Sequence, residues 1–293
     1  MMGMTHAALT AEPLRGLEPR DIAGYLSRIG HTGSTEPTLE TLHALVAAHL
    51  RTIPFENLDP LMGVPVFDLT AAALFAKMVR RRRGGFCFEH NGLMRYVLAG
   101  LGFDTEALTA RVVWMNPAGL QGPPPALTHQ LLAVRIPGDA QRYLVDVGFG
   151  GQTLTSPLRF AADEVQQTRH EPYRVLAHGA GFVLETRIGD DWRPLYLFTD
   201  ETRPVADLQL GSWYMSTHPE SKFVTGLAAS VLTDDARWNL NGRTLTVHHR
   251  GGYTERTRLA NASAVLDVLM NRFGIDVGGH GDVHLRITEV LDT

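Results

Sequence analysis

Apolar positions in the first third of the chain recur at helical spacing. Ile22, Tyr25, Leu26 and Ile29 fall at i, i+3, i+4 and i+7, and Gly30 stands where a left-handed C-terminal cap belongs. Leu39, Leu42, Leu45 and Val46 repeat the period behind Thr38, a candidate N-cap, and Pro54 closes that helix. Asp68 can cap a third helix whose last turn is Arg80-Arg81-Arg82-Arg83, with cations at the negative end of the helix dipole. A fourth helix is predicted from Cys87 to Leu101. Phe88, Leu93, Met94, Tyr96, Val97 and Leu98 make it apolar all round, which places it at the centre of the fold.

The period changes near Gly102. Leu108, Ala110, Val112 and Trp114 alternate with Thr109 and Arg111, the pattern of a strand. A proline-rich loop, Asn116 to Pro125, precedes strand candidates at His129–Ile136 and Arg142–Val147. Three more follow at Tyr173–Ala177, Phe182–Ile188 and Trp192–Phe198. Short strands at this spacing predict a barrel or sandwich. The last third is mixed. Pro204 opens a helix through Trp213, and Phe223–Leu232 reads as extended. Asn241-Gly242 marks a tight hairpin, and Val265, Leu266, Leu269, Met270 and Phe273 mark a helix ending at Gly274.

Composition narrows the class. The 293 residues suit two or three domains, and 44% hydrophobic with 20% charged residues excludes a disordered chain. The net charge of -4 argues against a nucleic-acid surface, so the arginine run reads first as a helix end. No apolar run is long enough to span a membrane. The start, Met1 to Ala7, lacks the pattern of a secretory signal. The single cysteine, Cys87, excludes an internal disulfide and a multi-cysteine zinc site. Together these predict a cytoplasmic protein. Nothing in the sequence sets an oligomeric state.

The one cysteine follows a glycine pair in Arg83-Gly84-Gly85-Phe86-Cys87-Phe88-Glu89 and opens a buried helix. Free N–H groups at a helix start favour a thiolate, and glycines let a ligand approach the backbone. The plain alternative is a small buried hydrophobe. A nucleophilic cysteine needs a base, and the base needs an orienting group. His129 opens one strand, and Asp146 ends the next inside Val145-Asp146-Val147-Gly148-Phe149-Gly150. A hairpin with Arg135 facing Ala140 would set His129 opposite Asp146, whereas a slip of one residue would put them on different faces. The sequence permits this arrangement without forcing it. His280-Gly281-Asp282-Val283-His284 and His248-His249 are metal candidates only by composition, and no metal is expected.

These residues match a known family. Arg51-Thr52-Ile53-Pro54-Phe55-Glu56-Asn57-Leu58, the Arg83–Glu89 stretch, Thr128-His129, Asp146–Gly150 and Ser216-Thr217-His218-Pro219 make the chain resemble the arylamine N-acetyltransferases. The resemblance runs from about Asp21 to at least Leu245 and looks like that to a bacterial member. It implies an α+β fold with a cysteine-protease or transglutaminase-like core. Residues 1–101 would form a helical domain carrying the nucleophile. Residues 102–200 would form an antiparallel β-barrel carrying histidine and aspartate, and residues 201–293 an α/β lid. It implies Cys87 as nucleophile, His129 as base and Asp146 as orienter. It also implies Glu56 and Arg83 as a structural ion pair, and Phe55, Phe149 and Phe223 as the lining of an acceptor pocket. Acetyl-CoA would be the acyl donor and an arylamine or hydrazine the acceptor, in ping-pong order. A hydrolase or amide-forming enzyme with the same triad and another acyl donor is the rival reading.

Overall fold

The computed structural model describes Leu14, residues 16–279 and residues 281–291. The start of the chain, on which the absence of a signal was read, and His280 lie outside the described residues. Helix α1 (Pro19–Ile29) ends on Gly30 at φ 66°, and α2 (Leu39–Thr52) is capped by the Thr38 hydroxyl, which accepts from the Thr41 N–H at 3.2 Å. Both caps match the sequence pattern. A short strand, β1 (Phe55–Glu56), and one turn of helix, α3 (Leu58–Leu61), follow.

The third helix differs from expectation. Thr70, not Asp68, caps α4 (Ala71–Phe75), and the Asp68 carboxylate instead accepts from the Thr70 N–H at 3.0 Å. The helix then widens into a π-turn over Ala76–Arg80, and Arg82 takes a positive φ of 52°. The reason lies in where the cations go. Lys77 and Arg83 are buried against carboxylates, so the arginine run is not a uniform exposed helix end. Helix α5 (Cys87–Gly100) is central, with ten of its residues buried, as its all-round apolar pattern predicts.

Eight antiparallel strands form a nearly closed barrel. In chain order they are β2 (Asp104–Val112), β3 (His129–Arg135), β4 (Arg142–Val145), β5 (Leu158–Arg159), β6 (Glu164–Gln166), β7 (Tyr173–His178), β8 (Gly181–Ile188) and β9 (Asp191–Phe198). Their order in the sheet is β5-β4-β3-β2-β9-β8-β7-β6. The Gln166 side chain bonds the Arg159 N–H at 2.7 Å and the Arg159 carbonyl at 2.9 Å, which ties the two edge strands together. Strands β2 and β3 are buried on both faces. Leu108, Leu131 and Ala133 fill the barrel, while Ala107, Leu132 and Val134 join the core built on the helices.

The last third holds α6 (Val205–Thr217), α7 (Lys222–Thr225), strands β10 (Ala228–Leu232), β11 (Ala236–Asn241), β12 (Thr244–His249) and β13 (Thr254–Arg258), and helices α8 (Ala262–Asn271) and α9 (Val283–Leu291). Its sheet runs β1-β10-β11-β12-β13, so a strand from the helical third extends it. The expected extended run from Phe223 is corrected. Ser221 caps a helical turn there, and only Ala228–Leu232 is strand. Asn57 fixes that turn, donating to the Phe223 carbonyl at 2.8 Å and the Gly226 carbonyl at 2.7 Å. The β11–β12 hairpin is present, but Asn241 pairs with Thr244, so the two-residue loop is Gly242-Arg243. Gly242, at φ 54°, supplies the left-handed residue of that turn.

Candidate active site

Cys87 is the first residue of α5, and the chain before it is pressed against β1. The Glu56 N–H bonds the Gly85 carbonyl at 2.8 Å. A Cβ on Gly84 would lie 1.9 Å from the Pro54 carbonyl oxygen, so only glycine fits this approach. Glu89 closes the helix start by accepting from the Phe86 N–H at 3.1 Å. The residue after Asp146 but one has the same constraint from the other side. A Cβ on Gly148 would lie 2.7 Å from the Cys87 Cα. Cys87 is thus held between two backbone segments, 4% exposed, with its Sγ 3.6 Å from the Thr128 carbonyl.

His129 stands at the start of β3, and Asp146 just past the end of β4. The hairpin register pairs Arg135 with Arg142, two residues away from the Ala140 partner considered from sequence. His129 and Asp146 are therefore not directly opposite. A slip of two preserves the face, because side chains alternate with a period of two, so the pair still meets. The His129 Nε2 lies 2.7 Å from Asp146 Oδ2. That leaves Nδ1 for the thiol, and the Cys87 sulfur is near enough to act on the His129 ring.

The electrostatics follow from burial and partners. Burial by itself would depress the His129 pKa. The charge and hydrogen bond of Asp146, with the Cys87 sulfur, outweigh it and raise the value to about 10. Burial would likewise raise Asp146, yet the His129 charge and hydrogen bonds from His129, Asn91 and the Gly148 N–H hold it below the ordinary carboxylate range. Both Asp146 oxygens are fully used. Oδ1 accepts from Asn91 Nδ2 and the Gly148 N–H, each at 3.0 Å, and Oδ2 accepts from His129 and, at 3.0 Å, from the Tyr196 hydroxyl.

The expected ion pair is present within a larger network. The Arg83 Nε donates to Glu56 Oε1 at 2.8 Å. Arg83 also reaches Asp59 at 3.2 Å, and Lys77 bridges Asp59 at 2.6 Å and Glu89 at 2.7 Å. Burial raises the Glu89 carboxyl, with Lys77 opposing, so the helix start beside Cys87 rests on a packed set of five charges. The three aromatics separate into two walls. Phe55 and Phe223 meet edge to face, centroids 5.8 Å apart, and Phe149 packs edge-on to His129 at 5.1 Å. A cavity of about 360 Å³ opens elsewhere, between α6 and residues 126–128. It meets the site at Thr128 and is not walled by these aromatics.

Sequence reasoning missed Asn91, Tyr196, Asp59, Lys77 and Glu89. Asn91 had a signal, since it stands four residues after Cys87 on one helix face. Tyr196 had none, because β9 meets the site only through the barrel topology. Among the described residues no group of three or more His, Cys, Asp or Glu could hold an ion. His248 bonds Thr254, His249 bonds Glu255 and His284 bonds Ser263. Among the described residues no helix is long and apolar enough to cross a membrane.

A cysteine at a helix start thus lies beside a buried histidine that is hydrogen-bonded to a fully hydrogen-bonded aspartate. The comparisons with known proteins give the family. The family model described as N-acetyltransferase matches residues 38–282. The chain is 60% identical over 275 residues to an arylamine N-acetyltransferase of Mycolicibacterium smegmatis, covering 93% of this chain and 99% of that protein. It is 58% identical to one of Mycobacterium tuberculosis, covering 92% and 96%. The structure of the Mycobacterium marinum arylamine N-acetyltransferase in complex with CoA superposes with a TM-score of 0.88 at 55% identity, over 92% of this chain and 98% of that one. The chain belongs to the arylamine N-acetyltransferase family, and it is an acyltransferase.

Proposed function

We propose that the chain transfers the acetyl group of acetyl-CoA to arylamines and arylhydrazines by a ping-pong mechanism through an acetyl-Cys87 intermediate. The observation that carries this reading is the His129 ring, hydrogen-bonded to Asp146 on one edge at 2.7 Å, with Cys87 close beside it. With its pKa raised to about 10, the His129 ring rests as an imidazolium. The Cys87 thiolate attacks the acetyl thioester carbonyl. The C–S bond to coenzyme A breaks, and the leaving sulfur takes the proton from His129. Giving up that proton leaves the His129 ring neutral. The arylamine nitrogen then attacks the acetyl carbonyl, His129 takes the amine proton, and Cys87 leaves as thiolate.

The acceptor must be neutral to attack. Aryl amines and hydrazines are weakly basic and neutral near pH 7. Phe149, edge-on to His129, and the half-buried Phe55 and Phe223 would favour flat apolar acceptors. Glu56 and Arg83 act as structure under the helix start. The coenzyme A complex of the Mycobacterium marinum relative supports acetyl-CoA as donor here. The three units 1–101, 102–200 and 201–293 are read as the nucleophile, base and lid parts of one cytoplasmic enzyme of foreign-amine metabolism.

The test is the intact mass of the protein after acetyl-CoA, followed by arylamine. One acetyl group on Cys87, discharged to the amine and not to water, is the expected result. Acetate release at the same rate with and without amine would make the protein a hydrolase instead.

A further inference from the structure

A second buried polar chain lies behind Cys87, and the acetyl-transfer chemistry does not use it. The Tyr25 hydroxyl of α1 bonds His49 Nδ1 of α2 at 2.9 Å, and His49 Nε2 bonds His90 Nδ1 of α5 at 2.8 Å. His90 Nε2 then bonds the Pro54 carbonyl at 3.1 Å. Tyr25 and His49 are 0% exposed and His90 is 1% exposed.

Proton directions follow from chemistry. A carbonyl only accepts, so His90 Nε2 carries its hydrogen. Burial keeps both rings neutral, so His90 Nδ1 accepts from His49 Nε2, and His49 Nδ1 accepts from the Tyr25 hydroxyl. The three groups form a one-way chain with no orphan. Burying them costs desolvation that an apolar trio would avoid, and what they add is direction. That direction ends on the carbonyl of Pro54, which also sits against Gly84. The next residue is Phe55, whose ring lies parallel to His90, 13° between planes with centroids 6.3 Å apart.

We propose that Tyr25, His49 and His90 are positioning residues for the acceptor. The chain locks the Pro54 carbonyl, and with the His90 ring it fixes the Phe55 wall against Phe223. None of the three touches a reacting atom. The inference rests on the acetyl-transfer reading and concerns its second half-reaction only.

The test separates the two half-reactions in His49→Phe, His49→Gln and Tyr25→Phe. Formation of acetyl-Cys87 from acetyl-CoA is followed by intact mass, and its discharge to aniline and to 4-aminobiphenyl by product formation. In His49→Phe, acetylation by acetyl-CoA is expected within twofold of wild type. The acceptor KM rises at least fivefold, more for 4-aminobiphenyl, while kcat stays within threefold. Glutamine can accept from Tyr25 and donate to His90, so His49→Gln returns the KM to within twofold of wild type. Tyr25→Phe removes only the first donor and raises the KM two- to threefold. That variant decides the matter should His49→Phe fail to fold. An unchanged acceptor KM in the folded variants, or an equal loss in both half-reactions, would overturn the proposal. Absence of acetyl-Cys87 in the wild-type protein would instead overturn the reading beneath it.

Discussion

Two histidines flank the nucleophile in equally dry surroundings and have opposite acid–base character. His129 is 2% exposed and His90 is 1% exposed. Burial drives both toward the neutral ring. Asp146 at 2.7 Å, with the Cys87 sulfur, reverses this for His129 and raises its pKa to about 10. His90 bonds a backbone carbonyl and a neutral histidine, the charges of Glu56 and Lys77 act on it in opposite directions, and burial brings its pKa down to about 4. Dryness alone therefore does not assign a histidine its task. A carboxylate makes one ring a proton carrier, and dipolar partners make the other a strut.

The sharpest way to break this comparison is to remove the nucleophile. Cys87→Ala and Cys87→Ser are expected to lower acetyl transfer by at least about 10⁴-fold in a steady-state assay, because a group acting as one unit with a base cannot be partly replaced. Next is the carboxylate. Asp146→Asn should cost about 10³- to 10⁴-fold and bring the His129 pKa down from about 10, since burial would no longer be opposed by charge.

Asn91→Ala should have a smaller effect, about 10- to 100-fold in kcat/KM. It removes hydrogen bonds to the Asp146 carboxylate, the Gln130 carbonyl and the Val147 N–H, and a bond to a charged group contributes about 1.5–3 kcal/mol. The smallest effect concerns stability at acid pH. The folded His90 pKa lies below its unfolded value, so the unfolded chain binds more protons there. The stability contribution of neutral His90 is present above about pH 6.5 and is lost as pH falls toward about 4. The loss amounts to about 2 kcal/mol by pH 5, measurable as a falling urea midpoint that is flatter in His90→Gln.

Much of this was legible in the sequence, and what was not has a physical cause. The helix start at Cys87 and the strand holding His129 could be read because caps, glycines and periodicity are local. The meeting of His129 with Asp146 survived a two-residue difference in hairpin register, since only the parity of the register selects the face. The π-turn at Ala76–Arg80 was invisible, because a charge network set by Asp59 and Glu89 from other segments dictates it. Tyr196 was equally hidden, as it reaches Asp146 across 50 residues. Phe223 was placed by the Asn57 side chain, 166 residues away, and read from its neighbours it looked like strand.

The most direct measurement is a histidine ring titration by NMR on the wild-type enzyme, with His129 and His90 assigned by substitution to glutamine. The expected result is a His129 ring that stays protonated to about pH 10, beside a His90 ring that stays neutral to about pH 4. Two rings that both titrate near the unperturbed value of about 6.5 would contradict the assignment of proton carrier and strut.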